Sequence, residues 1–475
     1  MKNLKFKRLL SLLIAIIMLL PGTNYIITAA DGPPEGVQVT DMYSPWAYWD
    51  IFMAQEIYNI GNEGTYSNFQ GNFTWTKFEP VYISISNKSY NLVSDSDIGA
   101  LTWPPSIGDM YVTRGEVITY LYYLITYYLE IEKPGKAVDY FAANGLIKGR
   151  IKGDYQLDKS CTTEEMIVFS VRVYEHFVRK LGLDSKGLFW KITGKGLPNA
   201  VYLLGTVHFG DNSIYPLSKA ITDAFDKSAY LAVEANIYTM GEEDINYIND
   251  IQMITDGKTI KDFISEETYE LYAEVCESMG LAREFYDYFK PWAAMLGLNQ
   301  AMMTGGEASA LLGMDMFLLM KAVASGKNII EIESIKYQMD LFDSFSPELQ
   351  ETLLLSVIAP PPAGEDEEQL SMEEMAELTR EFLAYMIEAI RTGNEAFLTE
   401  ILMAGRDYSN PLMKEYNTKL WDIRDAAMAD TIEQYLAYEE AEGDFFVAVG
   451  AGHTVGKTGI VQVLIKKGYK VERIK

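Results

Sequence analysis

Cysteine is nearly missing from this chain: Cys161 and Cys276 are the only two in 475 residues. An exported protein this large need not depend on disulfides, and pairing of these two, which fall in different expected domains, is the disfavoured alternative; neither stands at the spacing of a zinc ligand set. Each reads as a small buried apolar residue. Positive charge is short as well, with 40 Lys and Arg against 67 Asp and Glu and a formal net charge of −27. Such acidity argues against nucleic acid or an anionic membrane surface as partner, and its plain reading is solubility. No Gly-x-Ser-x-Gly elbow is present, and neither cysteine has a histidine nearby in sequence, which disfavours a serine or cysteine hydrolase. Histidine is scarce too, with His176, His208 and His453 alone. Two of the three, His208 and His453, share one context: an apolar run, a glycine, two residues, then histidine.

Against these absences stand a hydrophobic content of 48% and aromatics at 13%, which argue for globular structure in two or three domains. The first 30 residues read as a Sec-type signal peptide. Lys2, Lys5, Lys7 and Arg8 form a basic start, residues 9–20 an apolar core, and cleavage suits the bond after Ala29 or Ala30. A retained anchor is the alternative. No cysteine lies near the junction, so a lipid-modified one is excluded. After cleavage no membrane partner is expected, and the protein is expected to be secreted or held at a bacterial cell surface.

Residues 31–185 are aromatic-rich and hold two similar stretches, beginning at Ser44 and Pro134. Each has a short amphipathic helix, a glycine turn and a later helix start led by threonine, at residues 112–116 and 161–165. Threonine followed by glutamate suits a helix N-terminus, where hydroxyl and carboxylate meet free amides and the positive dipole end. These features resemble the S-layer homology (SLH) module, which uses an Ile-Thr-Arg-Ala-Glu-like helix start. Residues 112–116 match it well; residues 161–165 lack the arginine, and residues 78–109 interrupt the pattern. Such modules usually act as three copies to hold cell-wall polysaccharide. Two are counted here, so the resemblance implies either a wall-binding domain or a helical spacer. His176 falls on a helix in this region and reads as a packing or surface residue.

Residues 180–186 break the helical pattern, and residues 186–475 read as a second domain. From Leu188 the order is strand, helix, strand. Apolar residues recur at helical spacing from Leu217 to Phe225, with Pro216 near the start. Residues 241–305 are helical and Met-rich, a pattern of core packing. Residues 328–332 read as a short buried strand and Ser346-Pro347-Glu348 as a helix start. Residues 360–374 read as a solvated acidic loop. Residues 445–449 and 470–474 read as strands flanking a helix over 455–467.

His208, Glu234, Glu333 and His453 each lie at or just beyond the end of an expected strand. In open α/β sheets, sites form at the carboxyl ends of strands, so these four can converge. Gly205 and Gly450, ahead of the histidines, let the chain turn sharply. Two imidazoles with one or two carboxylates suit a divalent transition metal with an open water position, and hence metal-assisted hydrolysis. A histidine after a strand can equally be a hydrogen-bonded structural residue; two of three in matched contexts favour function. Residues 451–458, AGHTVGKT, fall one glycine short of the Walker pattern, and the dinucleotide fingerprint fails at Val455, so nucleotide binding is disfavoured.

LLGTVHFG, AVEAN, the Gly313-x-Asp315 turn, IIEIES with Gln338, and GAGHTVGKTGIVQVLIKKGYKVERI together resemble the TraB/GumN family. That family is related to the TIKI metalloproteases and to erythromycin-esterase-like and ChaN-like folds. The resemblance implies a mixed α/β fold: a central β-sheet flanked by helices, with a large helical insertion over residues 241–326. It implies His208 and His453 as metal ligands and Glu234 as ligand or general base. Glu333 and Asp315 would be base or supporting residues, with Gly205, Gly450, Gln338 and Arg424 near substrate or around the ligands. A family Arg-Asn pair is met here by Arg424-Asp425, which weakens whatever role that pair has. The implied activity is a divalent-metal hydrolase using manganese, cobalt or zinc, peptidase-like, on a peptide or small-molecule substrate. The competing expectation is a non-catalytic surface protein that binds wall or ligand; a vestigial site on a stable surface protein is a third.

Overall fold

A computed structural model describes residues 43–61, 68–93, 101, 109–131, 135–149, 153–194, 196–303, 308–359 and 371–475. The expected signal peptide and most of the acidic loop lie outside them. The chain divides into two compact units, Pro34–Asp184 and Ser185–Lys475. Both cysteines are free and buried.

The N-terminal unit is helical: α1 (Tyr48–Phe52, running into a π-helical turn Met53–Ile57), α2 (Trp75–Leu92), α3 (Arg114–Tyr128), α4 (Ala137–Ala143) and α5 (Thr163–Lys180). The threonine-led starts form as read. Thr113 and Glu116 make a reciprocal capping box for α3, and Thr162 and Glu165 make one for α5. Single bridges, Thr113 to Ser160 and Asn72 to Thr162, tie these starts together. The segment read as starting an insertion at residue 78 belongs to α2, whose Phe78, Val81 and Ile85 are fully buried. His176 is a packing residue: its Nε2 lies 2.8 Å from Tyr140 Oη, and burial, reinforced by Lys180 and Arg179, pushes its pKa down to about 4.

The C-terminal unit is a six-stranded mixed sheet flanked by helices. Its strands are β1 (Leu188–Thr193), β2 (Ala200–Thr206), β3 (Tyr230–Val233), β4 (Asn328–Glu331), β5 (Phe445–Gly450) and β6 (Lys470–Ile474), in the order β4-β3-β5-β2-β1-β6. β4, β3, β5 and β2 are mutually parallel; β1 is antiparallel to both of its neighbours. The last strand of the four in sequence, β5, inserts between the first two. Its Phe445–Gly450 are buried throughout, as a central parallel strand covered on both faces requires. β4 was read as buried, but it is an edge strand with Asn328 and Glu331 exposed, because only β3 pairs with it.

Helix α6 (Lys219–Lys227) links β2 to β3. It is capped by Ser218, so Pro216 precedes the helix and lies outside its first turn. Between β3 and β4 come α7 (Glu242–Ile251), α8 (Glu266–Ser278), α9 (Arg283–Tyr286), α10 (Pro291–Met303) and α11 (Met314–Ser325). Between β4 and β5 come α12 (Ile335–Asp343), α13 (Pro347–Ile358), α14 (Met372–Thr392), α15 (Glu395–Ala404), α16 (Pro411–Asn417) and α17 (Ile423–Ala437). Ser346 and Pro347 open α13 as read. Ser371–Glu374, assigned to the solvated loop, instead open α14 through a capping box. The helix expected over 455–467 is shorter, and a separate helical turn precedes it. A helical turn α18 (Ala451–Thr454) holds His453, and α19 (Ile460–Lys466) starts only after Gly456, whose φ of +83° no helix continues through. Among the described residues no helix is long and apolar enough to cross a membrane.

Candidate functional site

Because β2, β3, β4 and β5 are parallel, their carboxyl ends share one edge of the sheet, and the four expected residues emerge there. β2 leads through Val207 to His208, and β3 leads directly to Glu234. β4 leads to Glu333, whose amide donates to the Glu234 carbonyl at 2.9 Å. β5 leads into the turn carrying His453. All four side chains are buried, the two histidines 4% and 0% exposed.

The glycines work by closeness. A Cβ on Gly205 would lie 3.1 Å from both Ala451 Cα and Thr454 Oγ1, so its absence lets the His453 turn pack over β2. A Cβ on Gly313 would lie 2.2 Å from the His208 carbonyl oxygen. That glycine brings the start of α11, and with it Asp315, against His208. The Gly450 amide donates to Glu234 Oε1 at 2.6 Å.

Each histidine is backed by an aspartate. His208 Nδ1 is 2.8 Å from Asp315 Oδ2, a charge contact whose ring N–H is not aligned on the oxygen, while Thr206 Oγ1 donates to Asp315 Oδ1 at 2.6 Å. His453 Nδ1 lies 2.5 Å from Asp425 Oδ1, so that one proton sits between them. The other ring nitrogen, Nε2, has no hydrogen-bond partner in either histidine among the described residues. His453 Nε2 is 3.9 Å from Glu234 Oε1. Trp421 packs on the His453 ring with centroids 5.0 Å apart.

Arg424, buried to 1% exposure, ties the carboxylates together. Its Nη2 donates to Glu234 Oε2 at 2.8 Å and to Glu333 Oε2 at 2.7 Å; its Nε donates to Glu333 Oε1 at 2.8 Å. Gln338 Nε2 donates to both glutamates at 3.1 Å. Arg406 stacks over Trp421 at 4.3 Å, donates to the Gly452 carbonyl at 3.1 Å and approaches Asp425 Oδ2 to 3.9 Å.

Burial sets the proton affinities, and the neighbours modify it. Burial would lower His208, but Asp315 and then Glu234 outweigh it, so the imidazole is raised above its ordinary value. Asp315 is lowered, because His208 and Thr206 overcome burial. Glu234 is raised by burial and by Glu333 despite Arg424. His453 is held well below its ordinary value by burial, then by Arg424, Arg406 and His208; burial lifts Asp425 well above its own. That His208 and Arg424 act on His453 places the groups within electrostatic reach of one another.

The structure thus brings together His208, Asp315, Glu234, Glu333, Gln338, Arg424 and His453, with Gly205 and Gly450 shaping the approach. Asp425, read as a substitution that weakens its pair, holds His453 directly through its carboxylate. Sequence reasoning missed Thr206, Arg406 and Trp421. Thr206, two residues before His208, was within reach of the strand-end argument; Arg406 lies in the connection between α15 and α16 and Trp421 on a π-helical turn, Thr418–Asp422, neither with a distinguishing pattern. Among the described residues, no group of three or more His, Cys, Asp and Glu side chains stands arranged to hold a metal ion.

Comparison with known proteins agrees with this core. The model of the TraB/PrgY/gumN family matches residues 188–473, from the first strand to the last. An uncharacterized protein of Treponema pallidum (strain Nichols) is 23% identical over 289 residues, covering 59% of this chain and 80% of that relative. No solved structure matches.

Proposed function

The chain belongs to the TraB/PrgY/gumN family, and from that premise we propose that its C-terminal unit is a divalent-metal-dependent hydrolase acting on a peptide-like substrate. One observation carries the reading: two buried imidazoles, each with Nδ1 on a buried aspartate and Nε2 without a partner. An unpaired buried polar atom costs about 1–3 kcal/mol, so two within one site call for a ligand. A carboxylate behind Nδ1 is also the usual support of a metal-bound histidine, fixing the ring and raising its basicity. The donor chemistry fits manganese, cobalt or zinc, with His208 and His453 as ligands and Glu234 Oε1 beside them. When bound, such an ion supplies Lewis acidity and a water acidified towards neutral pH.

The chain's own groups divide the remaining work. Asp315 and Asp425 orient the rings. Glu333 is engaged twice by Arg424, which leaves Glu234, raised by burial, as the carboxylate best matched to take up a proton. Arg424 holds both glutamates in place, with Gln338 as the second donor. The peptide class follows from the likeness to the TIKI metalloproteases in the two Gly-x-x-His segments.

Arg424 also favours a second reading. It already satisfies Glu234 and Glu333, as expected of a domain that binds a ligand without turning it over. Metal content of the purified full chain separates the two. After exposure to manganese, cobalt and zinc, about one equivalent is expected in the wild type. The metal and the peptide or ester hydrolysis should both vanish in His208→Ala/His453→Ala. Metal-free wild type, or hydrolysis unchanged in the double variant, would move the assignment to ligand binding.

We also propose that the protein is exported and that its N-terminal unit holds cell-wall polysaccharide. The binding part of this reading is supported by a cavity of about 350 Å³ where Arg114, Lys148 and Arg172, together with Asp154, Glu164 and Glu165, meet Trp46 and Phe169. Polar groups of both signs beside aromatic faces suit the hydroxyls of a sugar, and Arg114 belongs to the segment that resembles the SLH helix start.

A further inference from the structure

We propose that an apolar cavity in the helical region after β3 is a second binding site, which takes the uncharged hydrocarbon end of a ligand: a ring or a short alkyl chain. The cavity encloses about 140 Å³ between α8, α9 and α10. An apolar cavity of about 150 Å³ can stay dry and accept a benzene ring, so this one has room for a real group.

Its lining is mostly apolar, with Gln252 and Gln300 as its amide-bearing members, because the polar ends of the lining aromatics turn elsewhere. Tyr272 Oη donates to the Tyr286 carbonyl at 3.0 Å, and Trp292 Nε1 donates to Asp343 Oδ1 at 2.9 Å. The Cys276 thiol, pushed up to about 12 chiefly by burial, presents a neutral S–H. No Asp, Glu, Lys or Arg is among the lining residues, and desolvating a charge without an opposite charge to meet it is prohibitive. The lip is apolar as well: Met279, Leu281 and Phe285 all line the cavity and are 45%, 37% and 48% exposed. Large apolar side chains left in water around a cavity mouth are unfavourable unless something covers them.

Gly297 strengthens the case. It lies inside α10, where glycine is a poor helix former, and a Cβ there would meet nothing within 4 Å. A larger residue would improve the helix and fill the void; glycine keeps the space open. The cavity wall also reaches the strand-end site through one element. Trp292 stacks on Phe342 of α12, centroids 6.1 Å apart, and the same helix carries Gln338, which donates to Glu234 and Glu333. A ligand group held here therefore rests against a helix that the buried carboxylates also use. The proposal does not depend on the metal reading.

The test is binding of toluene and of 1-hexanol to the full chain, followed by saturation-transfer NMR, with transfer to the Met279 methyl group as the local reporter. Saturable binding of at least one probe is expected in the wild type. It should be unchanged in His208→Ala/His453→Ala and at least tenfold weaker in Gly297→Leu. Toluene alone would identify an aromatic group as the natural occupant, and hexanol alone an alkyl or acyl chain. Should Gly297→Leu fail to fold, competition between the probes and transfer to Met279 in the wild type decide the matter. No saturable binding of either probe, or undiminished binding in folded Gly297→Leu, overturns the proposal.

Discussion

Arg424 sets the electrostatics of the strand ends. It is a fully buried cation facing two buried carboxylates, and its bidentate grip on Glu333 uses the guanidinium fork that lysine lacks. Replacing it by methionine would keep the volume but leave Glu234 and Glu333 buried against each other. We expect Arg424→Met to cost about 3–5 kcal/mol in urea unfolding, with Arg424→Lys between it and the wild type. A loss below 1 kcal/mol in the methionine variant would mean that the glutamates relax into solvent. The imidazole–aspartate pairs make a second residue-scale prediction. Between the ordinary carboxyl and imidazole values, 3.8 and 6.5, an unfolded His–Asp pair holds one proton. Folded, the His208–Asp315 pair keeps that proton to higher pH, because His208 is raised. Above pH 6.5 the unfolded His208 releases a proton that the folded one retains, so this pair makes stability fall as pH rises, by at most about 1.4 kcal/mol per pH unit. Glu234, raised above 4.5, contributes in the same direction as pH climbs from 4.5 to its folded value. In metal-free protein the wild type should therefore lose more stability than His208→Ala between about pH 6 and about pH 8. Equal slopes would show that His208 is not raised.

At the scale of elements, the sequence was most legible where glycine or a cap left a mark. The two Gly-x-x-His breaks, the Thr-x-x-Glu starts and Ser346-Pro347 all report local backbone chemistry, and local chemistry does not need the rest of the fold. Burial at β4 was misread because an edge strand and a central one carry the same apolar residues; only pairing separates them, and pairing is non-local. The tie between Asp425 and His453 was invisible for a related reason. The two lie 28 residues apart, on a helix and on the turn after a strand, and no period relates them. The same contrast between local and non-local can be measured with two glycines. Gly313→Ala would drive a methyl group to 2.2 Å from the His208 carbonyl, whereas Gly297→Ala meets open space. The first should destabilise by about 1–3 kcal/mol through enforced backbone movement, and it should displace His208. The second should be neutral or stabilising by up to about 1 kcal/mol through helix propensity. Equal effects in thermal unfolding would mean that α11 is not held against His208 by that close approach.

For the whole molecule, composition predicted little beyond globularity, and the net charge of −27 says nothing of where chemistry happens. The few cations placed among buried or half-buried groups say more. Arg424 lies among the carboxylates of the C-terminal unit; Arg114 and Arg172 line the polar cavity of the N-terminal one. Both of the latter already have carboxylate partners, Arg114 with Glu165 and Arg172 with Asp50, so each is fixed in place by its own unit. If the N-terminal cavity holds wall polysaccharide and the strand ends carry hydrolysis, the two activities should separate by mutation. Arg172→Gln should reduce pelleting with purified cell walls by tenfold or so while leaving hydrolysis and metal content unchanged, about 1.4 kcal/mol of binding. His208→Ala/His453→Ala should do the reverse, and the combined variant should lose both without further interaction, as independent sites do. A loss of hydrolysis in Arg172→Gln with the fold intact would contradict this division and make the N-terminal unit part of the catalytic apparatus. Wall binding unaffected by Arg172→Gln and by Arg114→Gln alike would leave that unit as a spacer, with hydrolysis still assigned to the strand ends of the C-terminal unit.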